Sequence, residues 1–70
     1  MTWLDRVKEE HKELDEKAIR LRTFLVSEAC SELDRPAKSL LRMQLRAMDD
    51  YLTVLELRID LEERRRAKAS

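Results

Sequence analysis

Seventy residues allow one small domain, and at that size a lone hydrophobic core is marginal unless a disulfide, a structural metal or self-association supports it. One cysteine excludes an internal disulfide, and one cysteine with one histidine excludes a zinc site, which leaves self-association. Fifteen basic side chains balance fifteen acidic ones, so no whole-molecule field steers the chain to polyanions or membranes.

Good helix formers dominate, glycine is absent and Pro36 is the one proline, so the pattern reads as all-α with one interruption. The first helix is expected at about residues 3–26. Thr2 can cap its first turn, and Asp5 suits the positive end of the helix dipole. Its apolar seam runs Leu4, Val7, His11, Leu14, Ala18, Leu21, Leu25, alternating steps of three and four as in a coiled coil. Trp3, Ile19, Phe24 and Val26 widen that face near the ends.

Residues 27–35 read as the connection. Ser27, Ser31 and Asp34 compete with helix by bonding nearby backbone, while Ala29, Cys30 and Leu33 can form a short turn that plugs the bundle end. Asp34 or Arg35 would cap the second helix, with Pro36 in its first turn, where a missing N–H is harmless.

The second helix is expected at about residues 36–66, followed by a frayed basic end at 67–70. Its apolar residues stand in three columns seven apart: Leu40, Ala47, Val54, Leu61; then Leu41, Met48, Leu55; then Leu45, Leu52, Ile59. Such columns cover roughly 200° of a helix, twice the ~100° that one partner needs. The fold class is therefore an antiparallel two-helix hairpin, a single domain over 1–70, that assembles into a homo-oligomeric bundle, dimeric with four helices or larger. If the helices end near Val26 and Pro36, His11 lies near Tyr51, Ala18 near Gln44 and Leu4 near Arg58.

Gln44, Tyr51 and Arg58 make a fourth, polar column between apolar ones. Polar groups at such places cost stability unless satisfied, and can set register or oligomer state. They can also line an oligomer interior for a small anionic or nucleotide-like ligand, Arg58 as a bidentate fork and Tyr51 as a stacking ring. The plainer alternative pairs Arg58 with Glu62 and lets Tyr51 reach His11. His11 and Trp3 complete the candidate ligand-binding set. His11 has Lys8 rather than a carboxylate three residues before it, so it matches no di-iron motif and reads as a hydrogen-bonded seam residue or a ligand contact. Trp3 is either bundle packing or an anchor for a partner. Cys30 reads as a small buried apolar residue.

Arg64, Arg65, Arg66 and Lys68 complement a helix C-terminus, and without interleaved aromatics they do not suggest specific nucleic-acid binding. Phosphate loops, nucleophile elbows and paired carboxylate signatures are missing, so no catalytic residue, metal or cofactor is assigned and the chain reads as a non-enzyme. No apolar run approaches the ~20 residues of a membrane span and charges begin at Asp5, which suits a cytoplasmic protein.

The opening W-L-D-R-V-K-E-E from Trp3, E-L-D-E-K from Glu13, L-R-T-F-L from Leu21 and L-R-A-M-D-D-Y-L-T-V-L-E-L-R-I from Leu45 resemble a family of very short phage and prophage proteins. That family is grouped with a small protein of crAss-like phages. The resemblance implies a phage origin and an accessory role in the host cytoplasm, and supplies no site residues. By analogy with other small oligomeric phage proteins, it implies non-enzymatic binding that counters host defence, by sequestering a nucleotide signal or a host protein. The alternative is a structural or adaptor coiled coil with no small ligand. In both, the first partner is another copy of the chain.

Overall fold

A computed structural model describes residues 2–69, and these are all-helical, with no strand among them. Helix α1 spans Trp3–Leu25, α2 is the single turn Glu28–Ser31, and α3 spans Arg35–Ala69. No helix is long and apolar enough to cross a membrane among the described residues. The molecule is a rod of 55 × 17 × 15 Å, its long axis set by α3, whose 35 residues rise ~1.5 Å each.

Each boundary has a local cause. Thr2 Oγ1 accepts the Asp5 amide at 3.3 Å and the Asp5 carboxylate accepts the Thr2 amide at 3.2 Å, a reciprocal capping box that satisfies two orphan groups. At the other end one hydroxyl joins two helices: Ser27 Oγ donates to the Phe24 carbonyl at 2.6 Å and accepts the Cys30 amide at 3.3 Å. Asp34 is the cap of α3, accepting the Ala37 amide at 3.0 Å, with Pro36 in the first turn as its fixed φ prefers. No described residue has positive φ, so a chain without glycine turns here by capped helical turns alone.

The core is thin: Leu4, Val7, Ala18, Cys30, Leu52 and Leu55 are buried, with Ala18 and Leu55 fully closed off. Helix α1 meets α3 through these and through side-chain bridges on the margins. Lys8 Nζ lies 2.8 Å from Glu63, His11 Nε2 3.1 Å from Glu56, and Arg22 Nη2 2.9 Å from Asp49, so numbers fall along α3 as they rise along α1. Being exposed, such bridges orient the helices more than they stabilise them, at ~0–1 kcal/mol each.

The register differs by about one turn from the expectation that set His11 beside Tyr51 and Ala18 beside Gln44. His11 turns to Glu56, while the Tyr51 hydroxyl donates to Glu10. The ion pairs Lys8–Glu63 and Arg22–Asp49 also fall further along α3 than expected, whereas Tyr51 stays within one residue of its expected level.

Only two of the three apolar columns of α3 face α1. Leu41, Met48, Leu55 and Leu45, Leu52, Ile59 are buried or half-buried, whereas Leu40, Ala47, Val54 and Leu61 are exposed. The basic end also departs from expectation. Helix α3 runs to Ala69, three residues past the expected end near Arg66, and Asp60–Arg64 at 3.0 Å and Glu62–Arg66 at 3.2 Å link successive turns before that end. Ser70 lies outside the described residues. Removing residues 64–70 is expected to lower stability by only about 1 kcal/mol, measured by urea denaturation, since no buried side chain is lost.

Candidate functional site

The polar column of α3 is on the surface of the single chain: Gln44, Tyr51 and Arg58 are all exposed. Tyr51 is tied to α1 by its bond to Glu10, and Arg58 is near enough for its charge to bear on the phenol. Arg58 does not pair with Glu62, which Arg66 takes instead. His11 is half-buried and bonded to Glu56, about 140° around α3 from Tyr51 at 100° per residue. Trp3 is 47% exposed at the start of α1. The fold thus groups Tyr51 with Arg58 and Glu10, and keeps His11 and Trp3 apart from them.

The Glu10 bond holds the Tyr51 proton, and with desolvation and the Glu10 charge it raises the phenol above its ordinary value against the opposing pull of Arg58. The raised folded value means this contact contributes stability below pH ~10 and loses it as pH climbs through the folded value. Because the chain has one tyrosine, an ultraviolet titration reads this group alone. Glu10→Gln should move the midpoint down toward that of a free tyrosine. At the other end, hydrogen bonds from Thr2 lower the Asp5 carboxyl, with Lys8 and Arg66 adding to the effect.

A second place has more of the character of a binding site, and sequence reasoning passed it over. Where α1 gives way to α2, an open groove of about 290 Å³ is lined by Leu25, the exposed Val26 and the buried thiol Cys30. Ser27 and Ser31 rim it, and Lys38 and Arg42 reach it from α3. These cations belong to a row, Arg35, Lys38, Arg42 and Arg46, uninterrupted by any acid before Asp49. That acid is occupied, since Arg22 Nη2 donates to both its oxygens at 2.9 Å. Among the described residues none of the four cations makes an ion pair.

Electrostatics make the row costly. Within the first turn of α3 the Asp34 cap is followed by no acidic side chain, and the helix dipole there disfavours Arg35 and Lys38. Lys38 with Arg42, and Arg42 with Arg46, are like-charged pairs four apart, each unfavourable by ~0.2–0.5 kcal/mol. An anion in the groove would relieve both. The signal was in the sequence as four cations in twelve residues with no acid among them. The cluster at Arg64–Lys68 looks more basic on paper, yet Asp60 and Glu62 neutralise part of it. No group of three or more His, Cys, Asp or Glu able to hold a metal is found among the described residues.

The family model that matches this chain is described as Sequestin and covers residues 1–61. No curated protein and no solved structure matches.

Proposed function

This chain belongs to the Sequestin family, and from that premise we propose that it is a non-enzymatic sequestering protein for a small anionic, nucleotide-like molecule. In this reading it is a phage-type accessory protein of the host cytoplasm that withdraws a signal from a defence pathway. It does so as an antiparallel helical hairpin assembled with further copies into a bundle. The family name supports sequestration as the mode of action. The observation that carries the choice of ligand is the row Arg35–Arg46, unpaired, with Arg35 and Lys38 in the first turn of α3, where the helix dipole disfavours cations. Lys38 and Arg42 supply charge for a phosphate, and Leu25 and Val26 offer apolar contact for a ring.

Sequestration predicts saturable binding without turnover. Calorimetry of the purified chain against cyclic and linear nucleotides should give stoichiometric binding to at least one, and chromatography should recover that ligand unchanged. Silence across the panel favours the second reading, an adaptor that binds a host protein, for which the exposed apolar residues of α3 speak. Release of an altered nucleotide would make the chain an enzyme.

A further inference from the structure

Helix α3 carries a second apolar seam that α1 leaves bare. Leu40, Met43, Ala47, Val54, Leu57 and Leu61 follow steps of three and four, with Asp50 completing the pattern. All are exposed, the five larger ones by 50% to 64% of their surface. The strip runs ~32 Å along the helix at 1.5 Å per residue, and at a helix width of ~10 Å its footprint is roughly 300 Å². A strip of that size is at the low end of the largest apolar patch on a typical monomer, and it stands beside a core of only six buried residues among those described.

We infer that this strip is a docking surface for a second copy of the same chain, packed α3 against α3 in antiparallel sense. The inference deepens the assembly named above by specifying its surface and register, and it does not depend on the ligand. The charges along the strip favour that sense. In a parallel, in-register pair the two Asp50 carboxylates would stand level with each other in the seam, a like-charge contact that disfavours it. In the antiparallel arrangement they are offset by ~6 Å along the axis, Asp50 faces the partner's Val54, and Met43 and Ala47 meet the partner's Leu61 and Leu57.

The same register gives Arg46 a counter-charge. Arg46, without an ion pair in the single chain, falls beside the partner's Asp60, whose carboxylate also holds Arg64 of its own chain at 3.0 Å, and the contact occurs twice by symmetry. On the other margin Tyr51 lies next to the axis and Gln44 faces the partner's Arg58. The polar column read from the sequence thus becomes the rim of the contact rather than its interior. The strip is on the side of α3 away from α1, so the groove at Lys38 and Arg42 stays open.

Val54→Lys/Leu57→Lys tests the surface, because both side chains are exposed in the single chain and the change leaves the core alone. Analytical ultracentrifugation should show the native chain as a dimer or larger at micromolar concentration. The variant should be a monomer of unchanged helicity, its association weakened at least tenfold. A native monomer overturns both this inference and the assembly reading. A variant that stays associated overturns this surface while leaving assembly intact. The register has its own test with a short bis-maleimide linker, since Cys30 is buried. Tyr51→Cys should cross-link to itself, whereas Leu40→Cys, whose copies stand ~36 Å apart in this register, should not. Ready cross-linking of Leu40→Cys would overturn the antiparallel sense.

Discussion

Leu55→Ala is expected to remove ~2–5 kcal/mol of unfolding free energy, the range for truncating a fully buried leucine. Among the described residues Leu55 is the large side chain with no exposed surface, in a core of six. A chain of this length holds roughly 4–10 kcal/mol in total at 0.05–0.15 kcal/mol per residue, so the variant should be partly unfolded near room temperature. Leu52→Glu should go further and abolish the helical signal, because it buries a charge with no partner. Leu57→Ala is the contrast. Leu57 is two residues further on and 63% exposed, and in dilute solution its truncation should change stability by less than ~0.5 kcal/mol. Urea denaturation followed by circular dichroism measures all three. A large loss at Leu57 with little at Leu55 would mean that α1 packs on the other face of α3.

Arg42→Glu is expected to move stability and binding in opposite directions. The substitution removes two repulsive pairs, with Lys38 and Arg46, and creates two attractive ones at the same spacing. At ~0.2–0.5 kcal/mol per pair, the fold should gain about 1 kcal/mol at low salt. Binding of the nucleotide identified by calorimetry should fall at least tenfold, because the groove loses one of its two cations and gains an anion. Sites kept for function commonly carry such a stability cost. If Arg42→Glu binds as well as the native chain, the groove is not the site. A loss of both stability and binding would instead mark Arg42 as a structural residue. Raising the salt should shrink the stability gain, since exposed charges are screened within a Debye length of ~8–10 Å.

Much of the helical architecture is local and was legible in the residues. Thr2 with Asp5, Ser27 and Asp34 with Pro36 place helix ends by hydrogen bonds that span three or four residues, so no distant partner is needed to read them. The steps of three and four from Leu4 to Leu25 likewise state which side of α1 is buried. What stayed hidden depends on how far one helix slides along the other. Three adjacent apolar columns fit α3 against α1 in more than one rotation, and nothing local chooses between them. Packing placed Leu41–Leu55 and Leu45–Ile59 inside and left Leu40–Leu61 out. Packing also decided the partners, which set His11 against Glu56 and Tyr51 against Glu10. The groove divides between the two. Its cation row, Arg35 to Arg46, stands in the sequence, but Leu25 and Cys30 meet Lys38 and Arg42 only because the chain reverses between them, and no spacing records that meeting.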